Sequence, residues 1–212
     1  YETENRARPW QQTYFGGRLV FDWIAVMWAV VLIVTHALSE AHPWISEAGV
    51  MHGTEVSKGE WWRLVTATQL HADWSHLASN LAIGVMLLGL VMGRWGTATG
   101  MLAALLAGVG GNAAGWLLQP DSRSLGASSV VMGAIGLLAL TPRTGREGEV
   151  KAWRGIVGGV AAATMLFLLN GSDARSDIVA HAGGFASGLV LAAVLRRLTT
   201  AARGSRANAF AA

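Results

Sequence analysis

Long apolar runs separated by short charged ones dominate this chain. Six stretches contain no Asp, Glu, Lys or Arg: Trp23–Ser39, Trp74–Gly93, Trp95–Pro120, Ser124–Pro142, Gly155–Ser172 and Ile178–Leu195. They are 17, 20, 26, 19, 18 and 18 residues long, against the roughly 17–25 apolar residues that a helix needs to cross a bilayer. The pattern predicts an all-α, polytopic membrane protein with six transmembrane helices. Its membrane domain covers 20–197, between a cytoplasmic N-terminal segment, 1–19, and a basic cytoplasmic tail, 198–212.

Composition agrees. Only 14% of the 212 residues are charged and 52% are hydrophobic, where a soluble domain carries about a quarter charged residues. Disordered, collagen-like, disulfide-scaffold and soluble enzyme classes are excluded. No cysteine is present, which removes disulfides, thiolate nucleophiles and Cys-based metal sites. The pI of about 9.9 does not point to nucleic acid, because the bases sit at the ends of the apolar runs. The first run lacks a following small-residue cleavage site and reads as an anchor, not a signal peptide.

Charge also orients the chain. With the N-terminus inside and six crossings, the inner side holds Arg6, Arg8, Arg18, Arg94, Arg143, Arg146, Lys151, Arg154, Arg196, Arg197, Arg203 and Arg206. The outside holds only Lys58, Arg63, Arg123 and Arg175. This follows the positive-inside rule and puts both termini in the cytoplasm of a cell (inner) membrane protein. The outer connection Glu40–Asp73 is the longest, and its stretch Glu60-Trp-Trp-Arg-Leu-Val is amphipathic enough to lie in the interface. The same tryptophans also fit a simple aromatic belt. The inner loop Thr141–Arg154 reads as a solvated connector, and the Ala/Arg/Ser-rich tail Thr199–Ala212 as disordered. Glycines four apart recur at Gly96/Gly100, Gly111/Gly115, Gly155/Gly159 and Gly184/Gly188, the spacing that lets helix backbones approach in lipid.

Polar residues inside apolar runs are costly and mark function by default. They are His76 and Asn80, Asn112, Ser128 and Ser129, and His181. His36 ends the first run and is expected at the interface; Asn112 is expected to form a helix–helix hydrogen bond. Runs two, four and six all begin at the outer face. At 1.5 Å per residue, His76, Asn80, Ser128 and His181 therefore lie within roughly 10 Å of the outer ends of their helices. His76 and Asn80, four apart, share a face. The fourth helix, about 15 residues from Gly126 to Leu140, is too short to cross, so its N-terminus should be sunk in a water-filled pocket open to the outside.

That layer fits nucleophilic catalysis. Ser128 needs a base, for which His181 is placed. The oxyanion needs donors, and the Asn80 amide, the His76 ring and the Ser128 backbone N–H supply them. No acid lies within these runs, so the form is a Ser–His dyad. A metal held by His71, His76 and His181 lacks a supporting carboxylate or His-x-x-x-His pair.

These residues resemble the rhomboid family of intramembrane serine proteases. Gly126-Ala127-Ser128 resembles the family's Gly-x-Ser motif, and His76-Leu-Ala-Ser-Asn80 its His-x-x-x-Asn. Ala180-His-Ala-Gly-Gly-Phe-Ala-Ser-Gly188 resembles its catalytic His followed by Gly-x-x-x-Gly. Trp62-Arg63 resembles its Trp-Arg pair, and His71 sits where a further His is often found. The resemblance covers roughly residues 20–197. It implies a six-helix rhomboid-like bundle with Ser128 as nucleophile, His181 as base, and His76 and Asn80 assisting the oxyanion. It also implies single-span transmembrane protein substrates cut near the outer face, lipid as surroundings, and no cofactor, metal or nucleic acid. By the same analogy the fifth run and the loop Asn170–Asp177 would form the substrate gate.

Two positions depart from the family pattern. Ser129 stands where Gly usually follows the nucleophile, and Met132 where an aromatic residue often stacks on the His. With Gly126, Gly184 and Gly188 they border or support the expected pocket. A catalytically silent relative that binds or escorts membrane clients is the alternative. A transporter or channel is disfavoured by the absence of an inverted repeat and of charge within the runs.

Overall fold

A computed structural model describes residues 23–140, 155–165 and 177–209, with side chains to 199. Residues 1–22, 141–154, 166–176 and 210–212, which hold the inner loop, the end of the fifth run and all of the gate loop but Asp177, lie outside the described residues, as do the expectations attached to them.

Each apolar run that is described contains a helix. Helix α1 is Trp23–Ala41. The outer connection folds into three short helices, α2 (Pro43–Gly49), α3 (Gly53–Ser57) and α4 (Arg63–Thr66), followed by a 3-10 turn at Ala67–Gln69. Then come α5 (Trp74–Trp95), α6 (Thr97–Leu118), α7 (Ser128–Ala139), α8 (Gly155–Met165) and α9 (Ile178–Ala209). Four of these, α1, α5, α6 and the Ile178–Thr199 part of α9, are long and apolar enough to cross a membrane; α7 and α8 are shorter. The protein is an integral membrane protein. At 22 residues α5 and α6 are each about 33 Å long, enough for a hydrocarbon core of about 30 Å.

Helix ends follow local chemistry. Asp73 caps α5 by accepting the His76 N–H at 2.8 Å. Gly96, at φ +87, ends α5 and starts α6, which turns the chain back on itself without a loop. Gly96 is therefore a turn residue, not part of the expected packing pair, and nothing stands within 4 Å of where its Cβ would be. After α6, a two-residue strand β2 (Arg123–Ser124) pairs antiparallel with β1 (Met51–His52) of the outer connection. Helix α9 continues to Ala209, so the tail expected to be disordered is helical over that length; alanine and arginine favour helix.

Helix α7 is the centre. Ser129 to Leu137 are all buried, as expected of a helix that is apolar all round. At 12 residues it spans only about 18 Å. It packs on α5, α6 and α9, while α1 rests on α5. Glycine makes these seams backbone-close. A Cβ on Gly188 would overlap the Gly133 carbonyl, and one on Gly136 the Phe185 carbonyl. Gly100 backs onto Val91 and Met92, and Gly155 and Gly159 onto Ala139.

Candidate active site

The turn leading into α7 is tied to the outer connection. The Gly126 N–H donates to the Ala67 carbonyl at 2.9 Å, and the Ala127 N–H to His71 Nε2 at 3.3 Å. Gly126 has φ +119, a conformation that favours glycine. Space demands glycine as well. A Cβ there would stand 2.7 Å from His76 Cε1, 2.9 Å from its Nε2 and 3.8 Å from Asn80 Nδ2. The His76/Asn80 face of α5 thus lies directly over the residue two before Ser128.

On the other side of Ser128, α9 closes in. A Cβ on Gly184 would strike the Ser129 backbone, and one on Gly111 of α6 would be 3.0 Å from Ser129 Cβ and 2.5 Å from the Ala180 carbonyl. Ser128, partly exposed at the first position of α7, is therefore bracketed by Gly126 beneath His76 and by Ser129 against Gly184. One turn before Gly184 stands His181, within electrostatic range of His76. Residues from α5, α7 and α9 meet at the N-terminal ends of all three helices.

The His181 ring is oriented by its own helix. Its Nδ1 lies 2.6 Å from the Asp177 carbonyl. A carbonyl only accepts, so Nδ1 carries the proton and Nε2 is the basic nitrogen of the neutral ring. The Asp177 side chain caps the same helix, its Oδ1 accepting the Ala180 N–H at 2.8 Å. Asn80 is buried and donates one amide hydrogen to the His76 carbonyl at 3.1 Å.

His71 is buried, its ring edge-on to His76 at 5.1 Å. Burial first, and the neighbouring His76 second, depress its pKa from the ordinary 6.5 to about 3. The Asp73 carboxyl is held below the usual range by the Ser75 hydroxyl and the His76 backbone N–H. His36, expected at the interface, is instead 1% exposed and packs edge-on against Trp74 at 4.5 Å. The stretch around Arg63 is likewise not merely laid on a surface. Arg63 is buried, its Nη1 donating to the Glu47 and Val50 carbonyls, both at 2.7 Å, and its Nε to Glu60 at 2.6 Å. Trp62 stays exposed and donates to the Ala48 carbonyl. Asn112 joins α6 to α4, donating to the Leu64 carbonyl at 2.8 Å and accepting from Ser124. Among the described residues no three His, Asp or Glu side chains converge as a metal site.

The family model for the rhomboid domain matches residues 58–198. The chain belongs to the rhomboid family. It is similar to Rhomboid-like protease 3 of Toxoplasma gondii, 28% identical over 87% of this chain and 73% of that protein. It is 30% identical to Rhomboid protease GluP of Bacillus subtilis over 74% of the chain and 31% of GluP. It is 40% identical to the chloroplastic Rhomboid-like protein 11 of Arabidopsis thaliana, over 38% of the chain and 29% of that relative. The chain thus spans most of the first relative and about a third of the other two.

The two unusual rhomboid positions, Ser129 and Met132, are both buried. Ser129 Oγ has no hydrogen-bond partner among the described residues, and its side chain occupies room that Gly111 leaves open. Sequence reasoning missed Asp177 and the His71–Ala127 bond. Asp177 lies one residue outside the sixth apolar run, four before His181. Its signal is that of a helix cap, an Asp immediately before an apolar helix.

Proposed function

We propose that this rhomboid protein is an active serine endopeptidase that hydrolyses peptide bonds of single-span transmembrane proteins near the extracytoplasmic face. Ser128 Oγ attacks the scissile carbonyl carbon while His181 Nε2 takes its proton. The oxyanion is met by the Asn80 amide, the His76 ring N–H and the Ser128 backbone N–H at the start of α7. Collapse expels the amine, which takes the proton from His181. Water then cleaves the acyl-enzyme with His181 again as base. No cofactor enters these steps.

The observation that carries the reading is the contact of His181 Nδ1 with a backbone carbonyl, from which its tautomer is assigned. A ring whose Nδ1 is committed to a backbone carbonyl at 2.6 Å presents a basic Nε2, on a helix locked through Gly184 to the residue after Ser128. For a chain that crosses six times, the distribution of basic residues supports cytoplasmic termini and a site facing outward. The short α7, whose N-terminus belongs below the outer surface, supports a water-accessible pocket there.

Ser128→Ala and His181→Ala should each reduce cleavage of a model transmembrane substrate to background while leaving the thermal unfolding midpoint in detergent unchanged. Undiminished cleavage by either variant sinks the reading. The silent-relative alternative, favoured by Ser129 and Met132, is separated by a fluorophosphonate probe: labelling lost in Ser128→Ala supports the enzyme, and no labelling of the folded wild type supports the client-binding role.

A further inference from the structure

Asp177 contacts the His181 helix three ways. Its Oδ1 accepts the Ala180 N–H. Its main-chain carbonyl accepts both the His181 Nδ1–H at 2.6 Å and the His181 backbone N–H at 3.1 Å. Its Oδ2 is buried and has no hydrogen-bond partner among the described residues. An unsatisfied buried carboxylate oxygen is expensive, so helix capping alone, which a serine performs equally well, does not account for an aspartate here.

The spare oxygen lies against α6 at Gly115. A Cβ on Gly115 would stand 3.1 Å from Asp177 Oδ2, 3.4 Å from the Met51 methyl and 3.7 Å from Ser122 Oγ, and Ser122 Oγ is also buried with no hydrogen-bond partner among the described residues. Glycine keeps that space clear. The carboxylate is in electrostatic range of the His181 ring. Among the described residues, other charge near the ring is sparse. Helices α6 and α7, which pack against α9, carry no titratable side chain over 97–118 and 128–139. From α5, His76 is within electrostatic range of it.

We propose that Asp177 is the positioning residue of the His181 base: its carbonyl fixes ring and tautomer, and its carboxylate, parked clear of α6 at Gly115, stabilises through space the imidazolium that forms when Nε2 takes the Ser128 proton. The acid missing from the apolar runs is thus supplied from just beyond the end of one, without a carboxylate–imidazole hydrogen bond. This rests on the Ser–His reading above.

The test uses the full chain in detergent micelles. Asp177→Asn keeps one side-chain oxygen to accept the Ala180 N–H and replaces the other with an uncharged NH2; Asp177→Ser keeps a cap. A carboxylate favours the protonated ring, so its removal should move the acid limb of the kcat/KM–pH profile to lower pH by roughly one unit. It should also lower kcat about tenfold with KM unchanged. The His181 ring resonance, titrated by NMR in Ser128→Ala with and without Asp177→Asn, should shift the same way and needs no activity. An unmoved acid limb and an unmoved titration in both Asp177 variants overturn the inference. Cleavage that survives Ser128→Ala sinks the protease reading instead and leaves the titration readable.

Discussion

Two neighbouring regions of this molecule are held together in different proportions by close packing and by directional hydrogen bonds. Where α7 meets α6 and α9, the seams are built from Gly108, Gly111, Gly133, Gly136, Gly184 and Gly188, with no charge in the α6 and α7 segments. Close backbones and dispersion hold them, because lipid offers no hydrophobic drive between helices. The outer connection, 42–73, has small helices over a small apolar cluster, Met51, Val56, Leu64 and Ala67, packed on Val109, Ala113 and Trp116 of α6. It is fastened by directional bonds from side chains to carbonyls: Arg63 to Glu47 and Val50, Thr66 to Gly49, Trp62 to Ala48. The two meet at Gly126–Ala127, where the polar region grips the start of the packed one. The site's precision therefore depends on both kinds of cohesion, and each should fail in its own way.

The packed seam should fail most steeply. Gly188→Val puts a branched side chain where even a Cβ overlaps the Gly133 carbonyl, and backbone cannot move aside as a side chain does. The cost should reach the top of the overpacking range, about 3 kcal/mol or more. Thermal unfolding in detergent should show a large drop and loss of activity together. An unfolding midpoint near that of the wild type would mean the α7–α9 seam is looser than its geometry.

The two regions are legible in the sequence to different degrees. The apolar runs mark every described long helix, because about 20 residues without charge are costly to keep in water and match the thickness of a bilayer. The start of α7 is readable because Gly126 announces a special backbone angle just before a small-residue stretch. Gly96 is misread by spacing alone, since a separation of four cannot tell a seam glycine from a C-cap; its place directly after the last residue of α5 is the better signal. The burial of His36 depends on Trp74, 38 positions on in the sequence, and no local pattern reports that. The β1–β2 pairing and the His71–Ala127 bond are equally non-local. Asp177 is not found among the polar residues inside the apolar runs, because the group that orients His181 lies at the edge of one.

The polar region should fail more gently. Arg63→Met keeps the apolar stem but removes the donors to the Glu47 and Val50 carbonyls and to Glu60. Charged hydrogen bonds of this kind are worth about 1.5–3 kcal/mol each in context, and partial hydration of the freed carbonyls should hold the net loss to about 2–3 kcal/mol. Arg63→Lys should recover only part of it, since one ammonium cannot reproduce the guanidinium fork. Equal unfolding midpoints for wild type and Arg63→Met would show that the outer connection is secured elsewhere.

The junction between the regions should reveal itself through pH. His71 Nε2 accepts the Ala127 N–H, which only an unprotonated nitrogen can do. Burial holds the folded ring's pKa at about 3 against an ordinary 6.5. Between those values the unfolded chain binds a proton that the folded chain refuses, so stability falls as pH falls through that window and is unaffected above it. The His71 share should be about 1–2 kcal/mol by pH 5. His71→Gln offers a non-titrating acceptor for the same N–H. Its unfolding midpoint should therefore fall less than that of the wild type between pH 7 and pH 5, with the two similar at pH 7. Parallel pH profiles for the two proteins would mean that the grip on Ala127 does not depend on the protonation state of His71.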